Sequence, residues 1–545
     1  MSKWQTHEQL LDLLCDLVQI PSVTESAAEK EFPSAVTQRL RELDYYQQHP
    51  EHLQLHPTDD GRAFVTALAK KEGVQDTIIL ISHFDVVSVE DYGAWMPHAF
   101  DPRTLTRLYA EQPDELPEAV QQDMAAGDWL FGRGTMDMKC GLALHMSLIE
   151  RACAGEFAGN LLLVTVPDEE ANSVGMRAAV PVLLELARTH GLVYRTVVNS
   201  EPMFARFPGD TEKYIYTGSI GKVLPGFLCY GKETHVGEPL AGLNANLMAS
   251  QLTCEMELNT SFCETIEGEA TAPPTNLIQK DLKKGYSVQI PHRAVTLFNL
   301  FLLEKQIEDV VEPLLATAKK AADKLARHYA EQAEQYSQYA AFAPQPLSIA
   351  VMSYAELYDY AVRTHGKERV EALQQELIDQ RGDRDDRDMA IELVDGLAIL
   401  CKELSPMIVL FFAPPFYPAI SSRHHPLIKR VIPALQAHAQ AQHQVRLKLQ
   451  HYFGGISDLS YCGLQVPATA MQPLVANMPL WDKGYTIPLQ ELEAFDVPVM
   501  NLGPVGRDAH QWTERLDVAY AFGPLQEMLI ACIHMLLEPG SDQAK

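Results

Sequence analysis

Residues 77–86 read TIILISHFDV. Ile78–Ile81 is a short β-branched run bounded by polar residues, the pattern of a buried strand. His83 and Asp85 stand at its end, and in an extended chain they project to the same side. An imidazole beside a carboxylate suits a metal ligand whose ring is oriented by a neighbouring acid. A histidine satisfied within its own fold fits the same two residues.

Upstream of this run, Glu8–Val18 carries leucines at helical spacing, a second helix fits Ala27–Leu43, and Ala63–Leu68 reads as a strand. Downstream, Tyr92–Ala126 carries Pro97, Pro102, Pro113 and Pro117 and reads as an irregular surface loop. Trp129–Gly134 then leads through MDMKCG into a helix, Leu142–Arg151. Leu161–Val166 is a strand ending in Pro167-Asp168-Glu169-Glu170. A helix over Val180–Thr189 is followed by a strand, Val193–Val198, that ends in Asn199-Ser200-Glu201-Pro202. Strands alternating with helices predict an α/β fold with a mixed, mainly parallel sheet and helices on both faces.

The texture changes after Tyr214. Gly218–Tyr230 and Tyr286–Phe301 are long and strand-like, with helices over Asn244–Leu258 and about Glu304–Tyr336, the latter kinked or broken at Pro313. This is an α+β unit inserted into the first fold. Asp379–Asp388 is dense in charge and reads as a solvated helix face or hinge. Met407–Phe412 is strand-like, and His425–His438 reads as a helix. Then Gly454-Gly455-Ile456-Ser457-Asp458, a strand at Val497–Leu502 and a helix around Ala519–Leu537 resume the first texture.

At 545 residues the chain exceeds one core. A formal net charge of −28 argues against nucleic acid and anionic membranes as partners. The nine cysteines form no CxxC pair, which disfavours thiolate zinc sites and disulfide frameworks and fits a reducing cytoplasm. No signal-type start and no uninterrupted run of membrane-spanning length is expected.

Five polar clusters follow or flank the predicted strands: His83/Asp85, Asp137, Glu169/Glu170, Glu201 and His510. Ligands of open α/β sheets bind beyond the carboxyl ends of the strands, so these groups can converge on one crevice. Two imidazoles with several carboxylates suit divalent zinc, cobalt or manganese. A carboxylate between two such ions sets them about 3.5–4 Å apart, and a remaining acid can take a proton from water. Each piece also has a plainer reading: Asp137 as a helix cap, Glu169-Glu170 as a solvated strand end, Glu201 as a turn residue, His510 as a surface histidine.

Together, HFD at 83–85, the segment running from Trp95 through PHAFDP, GRGTMDMKCG at 132–141, PDEE at 167–170, SEP at 200–202, GGISD at 454–458 and GPVGRDAH at 503–510 resemble the successive motifs of the M20 metallopeptidase family. The ending GPVGRDAHQWTERL and the length resemble its arginine-utilisation (RocB-like) branch. The resemblance implies a zinc-peptidase-like catalytic domain in two parts, 1–216 and 417–545, interrupted by a lid or dimerisation domain with a helical extension at 217–416. It gives no role to residues 337–404. It implies two divalent ions, zinc foremost with cobalt or manganese as alternatives. His83 and Glu201 would hold one, Glu170 and His510 the other, and Asp137 would bridge them. Asp85 would orient His83, and Glu169 would be the general base. A cis peptide is implied after Asp137. In the lid, His235 of GKETHVGEP would stabilise the oxyanion, and Asn276 of PPTNL would contact substrate. Where the family often carries an arginine for the substrate carboxylate, this chain has Asn299, with Arg293 nearby.

The function so implied is cytoplasmic hydrolysis of an amide or peptide bond in a small N-acyl amino acid or peptide-like substrate, by a possible homodimer formed through the lid. The alternative is a catalytically silent binding protein of the same fold, whose mark would be lost ligands or base. A serine hydrolase would need a G-x-S-x-G elbow, which GGISD does not supply.

Overall fold

The computed structural model describes residues 2–538 apart from positions 208, 342 and 344. Its contacts divide the chain into two compact units. The first comprises Met1–Ile220, Ala419–Gln465 and Pro488–Lys545, and the second Gly221–Pro418 and Val466–Ile487. Positions 539–545, which the sequence placed in the closing part of the first unit, lie outside the described residues. Val466–Ile487 departs from the expected division, which left 417–545 whole. Its hooks lie in the second unit: Asn477 Oδ1 accepts from Ala355 N at 3.0 Å, and the Tyr485 hydroxyl accepts from Phe416 N at 2.9 Å. No strand of the first unit's large sheet lies in this stretch to hold it there.

The first unit is built on an eight-stranded sheet. From one edge the strands are Leu53–Pro57, Ala63–Ala69, Asn160–Val166, Asp76–His83, Val193–Asn199, Val499–Asn501, Lys213–Tyr216 and Leu447–Gln450. The four from Asn160–Val166 to Val499–Asn501 run parallel. Every residue of Asn160–Val166 and of Thr77–His83 is buried, as expected of strands covered on both faces. Ile78 and Leu80 pack in one core with the helices His7–Val18, Lys139–Cys153 and Gln526–Leu537. Val518–Leu537 is long and apolar enough to cross a membrane by length and composition, contrary to the sequence reading. Met528, Leu529, Cys532, Ile533 and Leu536 spend that apolar surface on the core instead.

The segment expected as an irregular loop, Tyr92–Ala126, holds two helices, Pro102–Glu111 and Glu118–Ala126. Three of its four prolines, Pro102, Pro113 and Pro117, mark helix starts rather than breaks. Pro102 occupies the first turn behind an Asp101 cap that accepts from Thr104 N, and Pro117 caps the second helix. Tyr92, Leu105, Tyr109 and Phe131 give this region a small core of its own.

The second unit carries a five-stranded sheet in the order Thr275–Asp281, Arg293–Leu302, Gly221–Tyr230, Met407–Tyr417, Ala350–Ser353, antiparallel except for the last pair. Helices Tyr354–His365, Lys367–Asp379 and Asp386–Leu400 build its core against the central strands. The charged run near 379–388 is the turn between the last two of these, with Asp385 capping the third helix and Arg381 paired to Asp386 at 2.7 Å. Helix Ile307–Ser337 runs as one element of 31 residues through Pro313, where a kink or a break was expected; it is not broken there.

Candidate metal centre

In-register parallel strands bring the sequence clusters together. His83 lies opposite Val166, three residues before Glu169, and Ile81 lies opposite Asn199, two before Glu201. Three strand ends therefore deliver their acids and imidazole to one level. Asp137 arrives just ahead of helix Lys139–Cys153, after a cis peptide bond to Met138, as the resemblance implied. That helix has Met138 at its cap position with no side-chain bond, so Asp137 is not a helix cap. The approach is close: a Cβ on Gly141 would stand 2.7 Å from the Ser200 carbonyl oxygen, and one on Gly503 only 1.8 Å from that of Glu201. Only glycine fits either position.

Asp137 stands between two imidazoles. Its Oδ1 is 3.3 Å from His83 Nε2 and its Oδ2 is 3.3 Å from His510 Nε2. Glu201 Oε1 lies 3.4 Å from His83 Nε2, and Glu170 Oε1 lies 3.1 Å from His510 Nε2. Glu169 Oε2 is farther from His83 Nε2, at 3.9 Å. The structure thus brings His83, Asp85, Asp137, Glu169, Glu170, Glu201 and His510 into one cluster.

Asp85 serves two groups at once. His83 Nδ1 lies nearest the Asp85 carbonyl oxygen, at 3.0 Å, with the carboxylate at 3.5 Å. The carboxylate instead accepts from Glu169 N at 3.1 Å, Glu170 N at 3.2 Å and the Thr24 hydroxyl at 3.0 Å. One residue therefore fixes the histidine ring through its main chain and the Glu169-Glu170 turn through its side chain.

The electrostatics call for cations. Burial raises Glu169, Glu170 and Glu201 above the usual carboxylate range. Burial works against Asp137 too, but hydrogen bonds to His510 and His83 hold it low. Against its own burial, His510 is pushed up to about 11 by Asp137 and Glu170. His83 is likewise raised, chiefly by Glu201. Two imidazoles held toward their protonated form thus face the carboxylates of this cluster. Divalent ions would displace those protons and answer the same acids. The spacing fits as well, since two ligands about 2.0–2.2 Å from one tetrahedral ion stand about 3.3–3.5 Å apart. One donor atom each from His83, Asp137 and Glu170 falls within a 4.8 Å group.

Several supporting residues were not singled out from the sequence. Glu514, fully buried, accepts from Gly134 N at 2.7 Å and from Arg133 Nη1 at 2.6 Å, fastening the loop that carries Asp137. Arg62 pairs with Asp168 at 2.7 Å and with Glu29 at 3.2 Å, anchoring the residue before Glu169. Asp168 itself has φ +70°, which turns the chain sharply into the two glutamates. Asp458 of GGISD is buried, and burial pushes its carboxyl up to about 7. Asp458, Asp168 and Glu514 were visible only as letters inside motifs, and Arg62 had no local signal at all.

The remaining predicted residues belong to the second unit. His235 is exposed, with Nδ1 accepting from Gly237 N at 3.0 Å. The Asn276 amide sits at a β-bulge and donates to Thr296 Oγ1 at 2.7 Å and Leu297 O at 3.2 Å, so it is spent within its own sheet. Arg293 is paired to Asp395, and Asn299 faces Thr275 across the strand pair.

The description of peptidase family M20/M25/M40 matches residues 79–486. YqjN of Bacillus subtilis (strain 168), described as an uncharacterized protein, is 46% identical over 535 residues, 98% of this chain and 97% of its own. Protein RocB of the same organism is 28% identical over 541 residues, 97% of this chain and 95% of its own. An M20 family metallo-carboxypeptidase from Sulfolobus solfataricus superposes with a TM-score of 0.53 at 13% identity, covering 97% of this chain and 98% of that one. Aminopeptidase PepT from Bacillus cereus superposes with a TM-score of 0.51 at 14% identity, covering 98% of this chain and all of that one. These two likenesses show the fold. The family pattern from residue 79 to 486, and a relative matched end to end at 46% identity, make this chain a hydrolase of peptidase family M20/M25/M40.

Proposed function

We propose that the chain hydrolyses an amide or peptide bond in a small N-acyl amino acid or peptide, using two divalent ions that share Asp137. The observation that carries this reading is the division of one carboxylate between two imidazoles, Oδ1 to His83 and Oδ2 to His510, each at 3.3 Å. His83 with Glu201 and His510 with Glu170 supply the remaining donors, all nitrogen and oxygen, which suits zinc, cobalt or manganese. When bound, such ions polarise a carbonyl and make water a nucleophile near neutral pH. Glu169 lies beside this ligand set, fixed at its backbone by Asp85, and is the acid that takes the water's proton and returns it to the leaving amine. His235 is proposed, on the family resemblance alone, as the oxyanion donor, and Asn276 as a substrate contact. The division into a two-part catalytic domain and a lid that serves dimerisation stands on the same footing.

All nine cysteines are free thiols, which supports a reducing cytoplasm. The resemblance of GPVGRDAHQWTERL to the arginine-utilisation branch directs a substrate screen to arginine-containing dipeptides and N-acyl amino acids first. Protein purified without chelator should carry at least two equivalents of metal, two of them at this centre, and cleave a member of that panel. Full activity at one equivalent would remove the shared-carboxylate reading.

A further inference from the structure

The helical extension of the second unit holds a trio of side chains that the chemistry above does not use. His365 ends helix Tyr354–His365, Cys401 caps helix Asp386–Leu400, and Glu403 lies in the following turn, Lys402–Leu404. One donor atom from each falls within a 4.8 Å group. His365 Nε2 is buried and makes no hydrogen bond, and the nearest Glu403 oxygen is 3.8 Å away. That distance is too long for a hydrogen bond, and a small turn of the exposed Glu403 side chain brings the two atoms to the separation of ligands on one ion. Cys401 is fully buried, while the Glu403 side chain is 46% exposed and gives an ion its way in.

A thiol packed as a small hydrophobe would account for Cys401 alone. It leaves unexplained a buried imidazole nitrogen with no partner, aimed toward an acid and a sulfur, which is a costly arrangement if nothing fills it. We propose that His365, Cys401 and Glu403 form a zinc site that pins helix Tyr354–His365 to the end of helix Asp386–Leu400. Nitrogen, sulfur and oxygen donors together select a borderline-soft ion, and three protein ligands leave the fourth position to water. The Tyr360 hydroxyl donates to Glu403 Oε1 at 3.1 Å, the outer hydrogen bond that commonly orients a ligating carboxylate. Burial, with Glu403 beside it, holds the Cys401 thiol up at about 11. The free protein therefore carries the thiol, and the incoming ion takes the thiolate and releases that proton to solvent.

This site is separable from the catalytic one because the His83–His510 cluster offers only nitrogen and oxygen donors. The full chain, stripped with chelator and titrated with Co(II), should take up a third equivalent accompanied by thiolate-to-cobalt charge-transfer absorption in the near ultraviolet. Cys401→Ser should lose that band and one equivalent while keeping its hydrolytic activity, which also reports that it folds. Asp137→Ala should keep the band. Tyr360→Phe, which removes only the outer hydrogen bond, should weaken Co(II) and Zn(II) binding roughly 10–100-fold at this site. Absence of the band in the wild-type chain, or its persistence in Cys401→Ser, would overturn the proposal. If Cys401→Ser fails to fold, the proposal stands or falls on whether Glu403→Gln lowers the affinity of the band-forming equivalent.

Discussion

His83 ends the central strand of the sheet, is 1% exposed, and has its ring held through Nδ1 by the Asp85 carbonyl. His510 shares the same aspartate from a loop, in left-handed backbone at φ +64°, with its side chain 48% exposed. The loop is braced by Asp508, which accepts from the Thr513 hydroxyl at 2.7 Å and pairs with Arg515, itself bound to Asp123 at 2.6 Å. The two halves of the proposed centre therefore differ in preorganisation. One half is set by the sheet and is in place once the strands pair. The other depends on a loop held by ion pairs that the buried Arg515 makes with Asp508 and Asp123. A preformed ligand set costs less ordering on binding, so the His83 half should hold its ion more tightly.

The comparison breaks completely at Asp137, the residue both halves share. Asp137→Ala should abolish hydrolysis and lose more than one equivalent of metal relative to the wild-type chain by elemental analysis. Glu169→Gln tests whether the base stands apart from both halves: a loss of about 10²–10⁴ in kcat with metal content unchanged is expected. Loss of metal instead would mean that Glu169 and Glu170 exchange roles. His235→Ala should lower kcat about 10²–10³-fold, again with both ions retained, if it donates to the oxyanion. The asymmetry itself is sharpened by competing chelator against the enzyme. Two release steps should appear, and Asp508→Asn should weaken only the looser one, by about 10–100-fold. Equal weakening of both would erase the distinction between sheet-built and loop-built halves.

The smallest effect concerns the core behind the His83 half. His145, in helix Lys139–Cys153, is fully buried, shares a hydrogen bond with Ser200 Oγ at 3.0 Å, and is pushed down to about 3 by burial. A histidine with a depressed folded pKa binds its proton more readily when unfolded. Stability is therefore unaffected above the unfolded value of about 6.5 and falls as pH drops from there toward 3, by at most about 1.4 kcal/mol per pH unit. Denaturant melts between pH 6 and pH 4 should show a shallower slope in His145→Gln than in the wild-type chain.

The strand Asp76–His83 and its neighbours were legible because β-branched runs ending in polar clusters carry period and position together. The metal-centre cluster was legible for the same reason: each member sits just past a strand or opens a helix. The roles of Glu514 and Arg62 were not, because the buried ion pairs Arg133–Glu514 and Arg62–Asp168 join residues far apart in the chain and leave no local pattern. Tyr92–Ala126 misled because proline reads as a breaker until the position it takes in the helix is known. Strand Thr275–Asp281 was missed because only one side of it meets the core, and its apolar content is low.

Val499–Asn501 lies inside the sheet, parallel to Val193–Asn199 on one side and touching Tyr216 of the next strand on the other. Those neighbours leave the ribosome about 300 residues earlier. At a synthesis rate of about 5–20 residues per second, they wait roughly 15–60 seconds for the strand that joins them. Through that interval the nascent chain displays two unpaired strand edges, one that will pair parallel and one antiparallel, the surfaces most prone to pair with another chain. Cellular yield of this protein should therefore depend on translation speed across the second unit, and on the chaperones that hold open edges.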